Sequence, residues 1–302
     1  MASLTLRQLE YFVASAELGS MTAAAEHVHL SQSAISTALA DLERTLGVQL
    51  LIRQARGLSL TPAGVRVLAD ARRLIGGVED LHASAREIGE SLTGSLRVGC
   101  YSTLAPILMP RIIAAFVEEH PAVELDVLEG SHAFLYDQLK TGGCELALMY
   151  DYALADGRAA IDLTTRTISS APPHLLLPAD HRLAKRKKIR LKELAPEPFI
   201  LFDLKPGGEY FLDIFKRLGL EPQVRLRTQS FEMVRSLVAR GLGYSMLTQQ
   251  TAIDTSYEGF GFVVRPLADQ LPALNVQVAQ LAATRPTRRA VAFASQCITS
   301  WQ

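Results

Sequence analysis

Apolar residues recur at helical spacing three times within the first fifty positions, each time between residues that start and stop a helix. Leu6, Leu9, Phe12 (with Val13) and Ala16 make the first stripe. Thr5 and Gln8 fit a T-x-x-Q capping box ahead of it, and Gly19 ends it. Ser20 opens a short alanine-rich helix over residues 22–28, whose small side chains allow close packing. After a His29-Leu30 turn, Ser31 caps a third helix in which Ile35, Leu39, Leu42 and Leu46 repeat at i, i+4, i+7 and i+11, before Gly47. Residues 48–60 then read as a hairpin wing with Gly57 at its tip. Two short helices joined by a tight turn, the second with a polar outer face, predict a winged helix-turn-helix over residues 1–60.

That outer face is Gln32, Ser33, Ser36 and Thr37, at the start of the third helix. A recognition helix uses such positions to reach base edges in the major groove. Gln can pair with adenine through two bonds, and Ser donates or accepts without strong preference. Arg53 and Arg56 lie on the wing, suited to phosphate contact or a narrow minor groove. Charge pulls the other way. Residues 1–60 hold four arginines against five acids, a net charge of −1, without the basic excess usual for a nucleic-acid module. Placement answers this: the acids fall off the polar face, except Asp41 at its far end.

Thr61-Pro62 is a cap and first-turn pair that opens a long helix, so residues 61–93 are predicted to be a linker. Leu68, Ala71, Ile75 and Val78 keep a three-four alternation, the seam of a coiled coil, and Leu68, Ile75 and Val78 are the expected dimerisation residues. Gly76-Gly77 weakens it by ~1 kcal/mol per glycine relative to Ala.

From residue 94 strands alternate with helices, which signals parallel α/β architecture. The expected arrangement is two lobes, one of about residues 94–166 and 271–302 and the other of about 167–270. Crossovers are expected near Thr167 and between Asp269 and Leu271. In such sheets ligands bind beyond the carboxyl ends of strands, where helix N-termini also point. Those positions hold Tyr101, Ser102, Thr103, Ser131, Tyr150, Phe202 and Ser230. The hydroxyls suit an anion and the aromatic rings an apolar body, so a small organic acid is the expected ligand. Plain helix N-capping is the competing explanation for the Ser and Thr residues.

The stretches LRQLEYFVASAELGS, AAAEHVHLSQSAIS, LERTLGVQLLIR and LTPAG resemble the LysR-type transcriptional regulators in order and spacing. The match is dense over about the first 65 residues and weaker beyond. Met21, Ser33, Thr37 and Leu51-Ile52 depart from the residues common in the family, and two of these departures lie on the reading face. The resemblance implies a cytoplasmic protein that binds double-stranded operator DNA as a homodimer or tetramer. It further implies a periplasmic-binding-protein-like effector domain for a small molecule, and it admits RNA polymerase as a partner. A small-molecule binding protein or enzyme on a two-lobed fold is the alternative. It lacks a nucleophile–base pair, GxSxG, HExxH or P-loop to support it.

Bulk properties change little. In 302 residues, 48% hydrophobic, no apolar run is long enough to span a bilayer. Cys100, Cys144 and Cys297 show no metal-ligand or disulfide spacing, and no cofactor is expected. Four of the seven lysines sit between Arg182 and Lys192, which reads as a solvated loop.

Overall fold

The computed structural model describes residues 4–54, 57–86, 92–152 and 162–300. Capping chemistry places the first elements. Helix α1 (Leu6–Leu18) starts at Thr5, where both halves of the capping box are made, and closes at Gly19. Ser20 caps α2 (Met21–His27) and Ser31 caps α3 (Gln32–Leu46), each through its hydroxyl. Strands β1 (Leu51–Gln54) and β2 (Gly57–Leu60) pair antiparallel as the wing. The Leu58 N–H donates to the Gly19 carbonyl at 2.8 Å and fastens the wing to the end of α1. The Glu43 carboxylate accepts from the N–H groups of Leu50 and Leu51 at 2.7 and 3.1 Å. It holds α3 to the wing, so this acid serves the fold of the head.

Helix α4 (Pro62–Arg86) begins with the Thr61 hydroxyl accepting from Gly64 N–H at 2.8 Å. Its early turns complete the head: Leu68 and Ala71 are buried in one core with Leu9, Phe12, Ile35, Leu39 and Leu42, and Ile75 packs at the margin. Leu68 is thus not a free seam residue, because the first turns of α4 are needed to cover α1. The apolar side left to solvent starts one residue earlier. Leu74 is 54% exposed and Leu81 67% exposed, with half-buried Val78 between them.

Two five-stranded sheets follow. The first contains β3 (Gly94–Tyr101), β4 (Val123–Gly130), β5 (Leu146–Tyr150), β6 (Leu163–Ala171) and β12 (Leu274–Leu281) in the order β4-β3-β5-β12-β6. The second contains β7 (His174–Pro178), β8 (Pro198–Phe202), β9 (Gln223–Thr228), β10 (Tyr244–Leu247) and β11 (Phe262–Pro266) in the order β11-β7-β10-β8-β9. Helices α5 (Ala105–Glu119), α6 (His132–Lys140) and α9 (Arg288–Thr299) accompany the first sheet, while α7 (Gly207–Arg217) and α8 (Phe231–Ala239) accompany the second. The sheets are mixed rather than wholly parallel: β12 runs antiparallel to β5 and β6, and β7 antiparallel to β10 and β11.

The first crossover between lobes comes later than expected. Strand β6 pairs with β12 from Leu163 through Ala171, across a bulge at Val276/Gln277, so Thr167 and Ile168 belong to the first lobe. The crossovers fall between Ala171 and His174, and between Pro266 and Leu274. A ladder with β12 keeps β6 in the first sheet past Thr167, where a crossover was expected.

Candidate functional site

The polar face of α3 is assembled as the spacing predicts, with its hydroxyls partly committed. Ile35, Leu39 and Leu42 point into the core, leaving Gln32, Ser33 and Thr37 exposed and Ser36 half-buried. The Ser33 hydroxyl lies 3.0 Å from that of Ser31, and Thr37 donates back to the Ser33 carbonyl at 2.9 Å. Back-bonding of this kind leaves the Thr37 oxygen available chiefly as an acceptor. Arg53 reaches from the wing to the Ser36 hydroxyl at 3.2 Å and the Met21 sulfur at 3.4 Å. The guanidinium is therefore brought onto the recognition helix rather than held out on a wing tip. Arg56 lies outside the described residues. Beside Ser33 and Thr37 runs an open groove that Arg7, Gln8 and Tyr11 of α1 also line. Arg7, in the first turn of α1 and exposed, was not among the residues expected on this face.

The acids of the head prove less obstructive than their number suggests. Asp41 pairs with Arg44, Glu17 with Arg72, and Glu43 is occupied by the wing backbone. Only Glu10 and Glu26 of the five are solvent-exposed without a partner among the described residues.

Between the lobes the strand ends bring together a set of phenols. Tyr101 at the end of β3 and Tyr150 at the end of β5 meet edge-on with ring centroids 5.6 Å apart. Tyr152 stands 6.2 Å from Tyr101 and 5.6 Å from Tyr150. From the second lobe Tyr210 of α7 comes within 6.2 Å of Tyr152. The Tyr101 hydroxyl donates across the gap to the Leu204 carbonyl at 3.4 Å, and Thr248 beyond β10 donates to the Tyr150 oxygen at 3.2 Å. Thr103 is buried beside the Tyr150 phenol. His132 packs edge-on against Tyr152 at 5.9 Å.

Burial raises the Tyr101 pKa to about 12, and it pushes those of Tyr150, Tyr152 and Tyr210 above the ordinary phenol range too. A phenolate would be poorly solvated here, so all four stay neutral and keep their protons to donate.

The predicted serines divide. Ser131 and Ser230 are helix caps, accepting from Phe134 N–H at 3.3 Å and Met233 N–H at 3.2 Å. Ser230 is exposed, and no contact among the described residues joins it to Ser102. Ser102 caps nothing: α5 begins after Leu104 without a side-chain cap. The Ser102 backbone donates to the Gly130 carbonyl at 3.1 Å, while its hydroxyl has no partner among the described residues. Phe202 is buried in the hydrophobic core and makes no ring contact with the tyrosines. The facing aromatic group is Tyr210. Tyr152, Tyr210 and Thr248 were missed. Tyr152 follows Tyr150 by two positions, and Thr248 ends a strand, so the same strand-end rule reaches both. Only Tyr210, on a helix flank, carries no such signal.

Comparison with known proteins matches both halves of this architecture. Residues 6–65 match the family described as bacterial regulatory helix-turn-helix protein, lysR family. Residues 89–302 match the LysR substrate binding domain. The chain belongs to the LysR family of transcriptional regulators. It is 32% identical over 257 residues to the transcriptional dual regulator GltC of Bacillus subtilis, covering 84% of this chain and 83% of that protein. The crystal structure of HinK, a LysR family transcriptional regulator from Pseudomonas aeruginosa, is 33% identical with a TM-score of 0.65, over 99% of both chains. Full-length OxyR from the same organism, in a variant form, reaches a TM-score of 0.76 at 27% identity, covering 98% of this chain and 95% of that one. This LysR regulator thus has its DNA-binding family match on the three-helix head and wing. The substrate-binding match spans the two lobes whose junction holds the phenols.

Proposed function

We propose that this LysR regulator binds operator DNA as a homo-oligomer and that a small organic acid held between its lobes adjusts that binding. The observation that carries the reading is the meeting of Tyr101, Tyr150 and Tyr152 with Leu204, Tyr210 and Thr248 across the lobe junction, beside the uncommitted Ser102 hydroxyl. Neutral hydroxyl donors favour a carboxylate, and ring edges favour an apolar or aromatic body. A ligand entering here parts the Tyr101 phenol from the Leu204 carbonyl. It changes the angle between lobes only to the extent that it binds one angle better than the other.

On the head, Gln32, Ser33 and Thr37 read base edges, with Arg53 of the wing joined to Ser36 of the same helix. Two heads are brought to a two-fold site by pairing of α4 along Leu74, Val78 and Leu81, whose i, i+4, i+7 spacing continues a coiled-coil seam. Contact with RNA polymerase belongs to the same reading, and the role is regulatory rather than catalytic. Calorimetry of the full chain against benzoates and short dicarboxylates tests the cleft. Saturable binding by one class, weakened in Ser102→Ala, is expected. Equal binding in both proteins removes the cleft assignment.

A further inference from the structure

We infer that Arg72 is the positioning residue that seats the DNA-binding head on the first effector lobe, through one joint made of Glu17, Arg72 and the turn at Thr141. Its side chain is only 16% exposed although it lies on the linker helix α4. Nε and one terminal nitrogen donate to the same Glu17 oxygen, on α1, at 3.2 and 2.8 Å. The other terminal nitrogen donates to the Thr141 carbonyl, just past α6 of the lobe, at 3.0 Å. One planar fork therefore holds an element of the head and an element of the lobe at once, which a point-charged lysine cannot reproduce.

The turn is shaped for the helix. Gly142 has φ +65°, a conformation that strains any residue with a Cβ, and the turn lies against α4, with a Cβ position there 3.4 Å from both the Ala69 carbonyl and the Arg72 Cβ. A Cβ on Gly143 would strike the Gln138 side chain of α6 first and lie 3.3 Å from an Arg72 terminal nitrogen. Arg97 of β3 adds a second tie, pairing with Asp126 at 2.7 Å and with Glu17 at 3.7 Å. Around these contacts head and lobe do not pack continuously. A cavity of about 900 Å³ opens between them, lined by Val13, Ile75, Gly76, Glu124 and Arg285 among others. With a void beside it, the joint shares its task with no broad apolar interface among the described residues. The direction in which α3 is presented to DNA follows from the Arg72 fork.

Double electron–electron resonance on the full chain tests this. Spin labels go on Glu26→Cys in α2 and Glu118→Cys in α5, both exposed positions. Cys100, Cys144 and Cys297 are buried and stay unlabelled. Dilution with unlabelled chain leaves one labelled copy per assembly, and neither DNA nor ligand is needed, so the outcome is independent of what the cleft binds. The expected result is one narrow head-to-lobe distance. It is lost to a broad distribution in Arg72→Met and in Glu17→Gln, and only partly restored in Arg72→Lys. Unchanged circular dichroism separates this from unfolding, and Glu17→Gln, which leaves Arg72 on Thr141, carries the test if Arg72→Met folds poorly. A narrow distance retained in Glu17→Gln and Arg72→Lys overturns the inference, as does a broad distribution in the unsubstituted chain.

Discussion

The head and the lobe junction are built by opposite routes. In the head, Ile35, Leu39 and Leu42 direct α3 into a core made within 75 residues of chain, so the polar face is the remainder of a local pattern. At the junction, Tyr101, Tyr150, Leu204, Tyr210 and Thr248 meet from separate segments, and no periodicity relates them. The head holds its surface by local packing, whereas the junction phenols sit in a core shared by both lobes and are joined across it by the Tyr101–Leu204 and Thr248–Tyr150 hydrogen bonds. A reading head needs one shape, whereas a sensor needs two that differ by little free energy.

The largest expected effect attacks that difference in the head. Leu42→Ala removes a fully buried side chain and should cost ~2–5 kcal/mol. A calorimetric scan should show the head melting early and operator binding lost, while the lobes keep their transition. Loss of both transitions together would make head and lobes one cooperative unit.

Next in size is the pairing of heads. Leu81→Asp and Leu74→Asp place a charge on the exposed side of α4, where burial of an unpaired carboxylate against a second copy is prohibitive. Sedimentation should show monomers with the head still folded, whereas Leu68→Ala should destabilise the head and leave assembly intact. A stable dimer in Leu81→Asp would put the seam elsewhere.

The phenols supply a pH test. Burial disfavours phenolate, so the folded-state pKa lies above the unfolded value, near 12 for Tyr101. Their contribution is complete below the unfolded phenol pKa of ~10 and is lost as pH rises toward the folded value. Absorbance at the phenolate band should stay low for Tyr101, Tyr150, Tyr152 and Tyr210 until alkaline unfolding, then rise together. Gradual ionisation of Tyr101→Phe and the parent alike near ordinary phenol pH would show an open junction.

Smaller again are the base and phosphate contacts. Gln32→Ala should change sequence preference by ~1–3 kcal/mol at one position. Arg53→Ala, which also frees Ser36, should weaken all sequences and lower the salt slope by about one. Equal effects of both on every duplex would mean that α3 does not read bases.

This contrast also explains what was legible beforehand. Helix caps at Thr5, Ser20 and Ser31 and stops at Gly19 and Gly47 are written in neighbouring residues, and the head followed from them. Strand ends pointed to Tyr101 and Tyr150, whose rings meet where the lobes join. They could not say that Ser131 and Ser230 also serve as caps, since a cap and an anion site have the same local chemistry. Phe202 looked equivalent to Tyr150 because strand alternation does not state which face a neighbouring sheet covers. Tyr210 and the Leu204 carbonyl depend on how two lobes close, and nothing local to either residue encodes that.

The most direct measurement is fluorescence anisotropy of a labelled duplex from upstream of the regulator's own coding region, titrated with the full chain and with Ser102→Ala. Each titration is run without ligand and with the acid selected by calorimetry. Without acid the two proteins should bind alike, because Ser102 lies in the effector lobe and Gln32, Ser33 and Thr37 are untouched. With acid, the affinity of the parent should shift. Ser102→Ala should need ten- to a hundredfold more acid for the same shift, as loss of a charged hydrogen bond of ~1.5–3 kcal/mol requires. An acid that shifts both proteins at equal concentration, or a duplex affinity indifferent to every acid that binds, would contradict the account.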